Sequence, residues 1–298
     1  MNPREKGFLL LTSHLGIPDR KVLTQAQLRQ LTGRMAGLTA PGQERELELQ
    51  DLVRLGYGPD MAVRILDLLN DEEILHHYLF RGARNGCKPL TRVSDHYPHI
   101  LRKRLGASAP GCLWLRGDEA ILSLPGIALV GSREISEDNL AFAEAVGIQA
   151  ARQGLALISG NARGADRAAQ EACLRHGGRV ISIVADRLDR QQDREGILYV
   201  SEDGFDLPFS SQRALSRNRI IHSWGEITFV AQARLGTGGT WDGTLQNLRH
   251  GWSTVICFRD GSDAVAQLEK QGAYLADIKD LEDMTSFAPS EEDLFHRL

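Results

Sequence analysis

The sequence predicts an α/β protein, with a doubly wound parallel sheet in its second half and a small helical domain before it. Two observations carry that prediction. Six short apolar runs follow residue 125: Gly126-Ile127-Ala128-Leu129-Val130, then residues 155–159, 180–185, 197–200, 227–231 and 254–258. They are continuous rather than alternating, as strands covered on both faces are. Helical stretches at residues 136–153, 166–176 and 240–249 fall between them. Strands that alternate with helices build parallel crossovers, and the pattern is that of a Rossmann-like sheet.

Composition bounds the rest. At 298 residues the chain has room for one larger and one smaller domain, each with its own core. Hydrophobic content of 42% and charged content of 25% exclude a generally disordered chain. A formal charge of −4 excludes a uniformly basic nucleic-acid binder but leaves room for a local cationic groove. Cys87, Cys112, Cys173 and Cys257 form no C-x-x-C pair, which removes a zinc ribbon and a redox couple from consideration. Cys173 and Cys257 fall in a predicted helix and strand, where a small buried thiol is expected. The start is polar, and Phe8-Leu9-Leu10-Leu11 is too short for a signal peptide or a membrane span. A cytoplasmic protein with no membrane partner is expected.

Residues 1–84 are predicted to be helical. Thr24 is placed to cap a helix whose Leu28, Leu31 and Met35 recur at helical spacing. Pro41-Gly42 breaks the pattern, and a second helix is expected to turn Leu49, Leu52, Val53 and Leu55 inward. A third starts at Pro59 and carries Ile65, Leu66 and Leu69, and a fourth covers residues 71–80. The turn Leu55-Gly56-Tyr57-Gly58-Pro59 resembles a helix-hairpin-helix, whose glycines and helix N-terminus can face a phosphate; it equally suits an ordinary helical hairpin. Residues 85–125 read as a connector rich in Gly, Pro and basic side chains, residues 126–285 as the sheet domain, and residues 286–298 as an acidic tail.

In a doubly wound sheet, ligands bind beyond the carboxyl ends of the strands. Four segments there have the same character. Gly131-Ser132-Arg133 follows the first strand, offering close backbone approach, a hydroxyl and a planar guanidinium. Ser159-Gly160-Asn161-Ala162-Arg163-Gly164-Ala165-Asp166 follows the second and opens into a helix, a cationic nest suited to an anion. It is not the G-x-G-x-x-G fingerprint, so hydride transfer loses its main support. Arg213 and Arg217 share a helix face, where like charges call for an anion between them, and Asn218 and Arg219 follow. Gly236-Thr237-Gly238-Gly239-Thr240 follows the fifth strand and supplies amide and hydroxyl donors. Singly, each could be a tight turn; four at one sheet edge make a site. In that site Arg133, Arg163, Arg217 and Arg219 are the expected phosphate ligands and Ser132, Ser159 and Thr240 the hydroxyl donors. Gly131, Gly160, Gly164, Gly238 and Gly239 allow close approach.

These motifs, in this order, resemble the DprA/Smf DNA-processing family: Leu129-Val130-Gly131-Ser132-Arg133, residues 159–166, Val200-Ser201-Glu202 and Arg217-Asn218-Arg219-Ile220-Ile221. Ser94-Asp95-His96-Tyr97-Pro98 and Leu113-Trp114-Leu115-Arg116-Gly117-Asp118 look like the segment that precedes the family's core, so the resemblance covers roughly residues 85–262. It implies binding rather than catalysis: single-stranded DNA held in a basic groove, a homodimer, and loading of a RecA-type recombinase in transformation. It implies no cofactor and no metal. Departures are Asn161 where the family has Leu, Gln170 where it has His, and residues 238–243 in place of a Ser-Gly-Ser-Leu loop. No winged-helix segment is expected after the core.

The alternative is a sensor of a small nucleotide, or a phosphoribohydrolase-like enzyme acting on a nucleoside monophosphate. The hydrolase loop Pro-Gly-Gly-x-Gly-Thr is followed by two acids. Here Gly243 falls where the catalytic Glu belongs and Asp242 stands one position early, with Glu202 a further acid. His96 and His99 lack a third metal ligand, and His76-His77 point to opposite sides of a helix. The acidic stretch 186–206 is expected to be a solvated loop. Trp224, Trp241 and Trp252 could each stack on a base; Trp241, in the loop itself, is the better candidate, and packing suits Trp224 and Trp252 at least as well.

Overall fold

The computed structural model describes residues 1–36 and 47–287. Pro41-Gly42 and most of the acidic tail lie outside the described residues. The described chain forms two compact units, one of residues 1–97, 110–114 and 202–206, the other of residues 98–109, 115–201 and 207 onward. Among the described residues no helix is long and apolar enough to cross a membrane.

The first unit holds five helices: α1 (Pro3–Thr12), α2 (Gln25–Met35), α3 (Leu49–Arg54), α4 (Pro59–Asn70) and α5 (Glu72–Arg84). Thr24 caps α2, accepting from the Gln27 amide, and Pro59 opens α4 where its missing N–H costs nothing. Phe8, Leu28, Leu31, Leu52 and Ile65 share one core. Arg20 is buried among these helices and is satisfied by the carbonyls of Leu10 and Ser13, each at 2.7 Å, and by Asp71. Two expectations fail here. Leu49 and Val53 are exposed, because α3 has only six residues and turns Leu52, rather than either of them, into the core. The last helix runs on to Arg84, carried by Leu75, Tyr78 and Gly82 on its buried face.

The stretch expected as a connector is folded. It contains β1 (Lys88–Thr91), α6 (His99–Leu105) and β2 (Cys112–Gly117). β1 lies beside the start of β2 in the first unit, where Trp114 is fully buried against Tyr78 and Phe205.

The second unit carries β3 (Gly126–Val130), α7 (Glu137–Arg152), β4 (Ala156–Ser159), α8 (Ala165–Arg175), β5 (Arg179–Val184) and β6 (Ile197–Glu202). Then come α9 (Ser211–Trp224), β7 (Ile227–Val230), α10 (Gly239–His250), β8 (Thr254–Phe258), α11 (Asp263–Lys270) and β9 (Tyr274–Ala276). The strand order is β2-β6-β5-β4-β3-β7-β8-β9. From β6 through β3 to β9 the pairings are parallel. β6 forms at the apolar run 197–200, so the acidic stretch 186–206 is loop only outside that strand, and α11 and β9 follow the six expected strands.

Adjacent residues of β7 show the double winding, since successive side chains of a strand point to opposite faces. Phe229 meets Phe142 of α7, with ring centroids 6.4 Å apart. Thr228 accepts from Asn247 of α10 on the other face. Helices α7 and α8 therefore cover one side of the sheet, and α9 and α10 the other. The chain moves outward from β3 through β4, β5 and β6, then returns to β7 on β3's other side. The reversal between β3 and β7 is the topological switch point, where loops splay apart and leave a crevice.

Candidate functional site

A pocket of about 600 Å³ opens at that switch point, within the second unit. Gly131, Ser132 and Arg133 reach it from the loop after β3, Ala162, Arg163 and Asp166 from the loop after β4 and the start of α8, Arg217 and Asn218 from α9, and Gly238, Gly239 and Thr240 from the cap and first turn of α10. The N-termini of α8 and α10 both end in its wall, so two positive dipole ends converge there.

Close packing explains the glycines. A Cβ on Gly131 would stand 2.3 Å from that of Ala165, and one on Gly160 would stand 2.5 Å from the Arg217 guanidinium. Gly164 has φ +86°, and its Cβ would lie 2.4 Å from the Ser132 carbonyl. Asn161 takes φ +57°, in the left-handed region that Asn tolerates better than most side chains, which accounts for Asn at that position.

Arg217 lies in the pocket lining yet is only 8% exposed. One terminal nitrogen donates to the Ile183 carbonyl at 2.7 Å, while its Nε has no hydrogen-bond partner among the described residues. Burial pulls its pKa down, and the neighbouring Asp166 charge pulls the other way. Asp166 is itself buried, and its carboxyl is raised above the ordinary carboxylate range by that burial, against the Arg217 charge and the Ala162 and Gly160 amides. It accepts from the Ala162 amide at 3.2 Å and so shapes the second loop. Arg133 and Arg163 are exposed at the rim. Arg234 joins them there, paired with Glu134.

Several expected residues spend their polar groups on holding the loops. Ser159 is fully buried and its hydroxyl accepts from Gln170 at 2.6 Å, which also explains Gln at position 170. Thr240 donates its hydroxyl to the Gly131 carbonyl, and Asn218 donates to the Gly239 carbonyl at 3.0 Å. Gly160 and Gly164 stand behind the lining. Arg219 points away, because a residue two positions along a helix faces another side; it donates to the Ser108 carbonyl. Arg213 needs no anion: it donates to the carbonyls of Ala185, Leu207 and Pro208 and to the Ser201 hydroxyl. Trp241 lies inside α10 and is 7% exposed, so it packs rather than stacks on a ligand.

Asp242 is exposed and is not in the pocket lining. A Cβ on Gly243 would stand 3.0 Å from Nε2 of the buried His222, so the hydrolase position is filled by packing. Among the described residues no group of three His, Cys, Asp or Glu side chains could hold a metal. Sequence reading missed Phe209, Ala214, Leu215, Glu134 and Arg234, all in the lining. Arg234 was open to discovery as a cation between a strand and a Gly-rich loop; Phe209 and Leu215 carried no motif.

The family model for DNA recombination-mediator protein A matches residues 88–288, a span that contains every pocket residue. The chain belongs to the DNA recombination-mediator protein A family. Among its DprA/Smf relatives, DNA processing protein DprA of Streptococcus pneumoniae is 32% identical over 196 residues, covering 61% of this chain and 68% of that protein. Protein Smf of Synechocystis is 26% identical over 194 residues, 60% of this chain and 48% of that one. In fold, the X-ray structure of S. pneumoniae DprA superposes with a TM-score of 0.70 at 24% identity, covering 94% of this chain and 98% of that one. A structure of Helicobacter pylori DprA, whose subject is that protein's single-stranded DNA binding mode, gives 0.55 at 21% identity, over 66% and 94%.

Proposed function

We propose that this DprA-family protein binds single-stranded DNA by its phosphates at the switch-point pocket. The observation that carries the reading is the meeting in one open pocket of the α8 and α10 N-termini with the guanidinium of Arg217. Two helix N-termini and the rim cations Arg133 and Arg163 call for a negative acceptor. Gly131, Ser132, Gly238 and Gly239 let backbone and hydroxyl donors approach it. The single-stranded DNA binding of H. pylori DprA favours a strand over an isolated phosphate as ligand.

Homodimerisation and loading of a RecA-type recombinase onto the bound strand belong to the same proposal, on the strength of family membership. So does a place in transformation or recombination.

The test is fluorescence anisotropy of labelled oligo-dT with the wild type and the Arg133→Ala/Arg163→Ala variant. These side chains are exposed, so the variant is expected to fold with unchanged Tm and to bind at least about tenfold more weakly, two lost phosphate contacts. Equal affinity would remove the pocket from the function.

A further inference from the structure

We infer that Glu134 holds, on Arg234, the place that a backbone phosphate takes, so that a strand enters the pocket by exchanging a carboxylate for a phosphate at its mouth. The inference rests on the phosphate reading above and adds a specificity-determining residue to that site.

Among the described residues that line the pocket, Arg133, Arg163, Arg217 and Arg234 are the cations and Glu134 and Asp166 the acids. The two acids are used differently. Asp166 is buried and accepts from the Ala162 amide, so it shapes its own loop. The Glu134 carboxylate accepts from the Arg234 guanidinium, and the two side chains are 71% and 57% exposed. Their pair joins the loop after β3 to the loop after β7, at the open end of the pocket.

Those loops are held without it. Thr240 donates to the Gly131 carbonyl at 3.0 Å, and the Ser136 amide donates to the side-chain oxygen of Gln232, also at 3.0 Å. Arg234 is set by its own turn, its carbonyl accepting from the Thr237 amide at 3.3 Å. An exposed ion pair adds little to such a frame, at most about fivefold in an equilibrium constant. What the pair governs is the charge that a ligand meets. Carboxylate and phosphate oxygens suit the same guanidinium fork, so a phosphate can replace Glu134 on Arg234. The pair is weak enough to yield, and the freed carboxylate turns into water.

A single phosphate held at the buried Arg217 leaves Arg234 closed. A strand carries a phosphate at each nucleotide, so it fills the deep end and still brings an anion to the mouth. Glu134 therefore withholds Arg234 from a mononucleotide and yields it to a strand.

The test is anisotropy of labelled oligo-dT at low and high salt, with a nucleoside monophosphate as competitor. The proteins are wild type, Glu134→Gln, Arg234→Ala and the double variant. All are expected to share one Tm, because both side chains are exposed. Glu134→Gln is expected to bind oligo-dT tighter by up to about fivefold, the strength of the pair it removes, with the inhibition constant of the mononucleotide unchanged. Arg234→Ala is expected to bind more weakly, and the gain from Glu134→Gln to vanish in its background. Unchanged or weaker oligo-dT binding in Glu134→Gln overturns the inference, as does a lowered Tm, which would make the pair a loop fastening. An equal gain in the Arg234→Ala background, or on the mononucleotide, also overturns it, because Glu134 would then only repel anions. A wild type without salt-dependent oligo-dT binding overturns the phosphate reading itself.

Discussion

Thr240 donates a 3.0 Å hydrogen bond from its hydroxyl to the carbonyl of Gly131, tying the first turn of α10 to the loop after β3. The two loops leave adjacent strands, paired Leu129 to Phe229 and Val130 to Val230, so the bond spans the switch point itself. It fixes the separation of two pocket walls. Thr240→Val keeps the shape and removes the donor, leaving the Gly131 carbonyl short of a partner. The expected cost is about 1 kcal/mol in oligonucleotide binding, roughly fivefold, with Thr240→Ser restoring most of it. Titrations of both variants decide; native affinity in Thr240→Val with a loss in Thr240→Ser would mean that the methyl group, not the bond, matters.

Gly160 packs directly against the guanidinium of Arg217. A methyl group there must displace the arginine, and with it the neighbour that favours the charge on Asp166. Gly160→Ala is expected to cost about 1–3 kcal/mol of stability, the usual range for overpacking, and to abolish most DNA binding. Urea unfolding and anisotropy on the same preparation test it. A variant of native stability and native affinity would show that the guanidinium has room to move.

His222 is buried beside Asn247, whose amide donates to its Nδ1 at 3.2 Å, and burial pushes its pKa down to about 3. In the unfolded chain a histidine titrates at about 6.5. Below that pH the unfolded state takes up a proton that the folded state refuses, so stability falls as pH drops from about 6.5 towards 3. One such proton contributes a slope of up to about 1.4 kcal/mol per pH unit. Unfolding free energies of wild type and His222→Gln, measured from about pH 6.5 down to about pH 4, should differ in slope by about that amount. Parallel curves would mean that His222 is protonated in the fold.

What the sequence made legible follows from how locally each feature is encoded. The six apolar runs became β3 to β8 because a strand buried on both faces needs no partner information to be recognised. Pro59 and Thr24 marked helix starts by chemistry internal to the first turn. The fold of residues 85–125 was hidden because β2, with Trp114 in its interior, is held by residues distant in sequence such as Tyr78 and Phe205. At the site, composition identified the loops but not the direction of each side chain. Ser159, Thr240 and Arg219 have the right chemistry and spend it on Gln170, Gly131 and Ser108. Trp241 fell inside a helix whose first turn already begins at Gly239, where a loop reading places open chain. Phe209 and Leu215 were invisible because exposure of an apolar residue is a tertiary fact.

Whether the pocket holds the phosphates of a strand is decided by the salt dependence of binding. Labelled oligo-dT is titrated across a salt series with a nucleoside monophosphate as competitor, for wild type and Arg163→Ala. Phosphate binding predicts that log affinity falls linearly with log salt and that the mononucleotide competes poorly. It also predicts that Arg163→Ala lowers the slope by about 0.7, one phosphate contact on a single strand. Salt-independent binding, or displacement of the strand by the mononucleotide at equal concentration, would contradict it and make the pocket a small-nucleotide site.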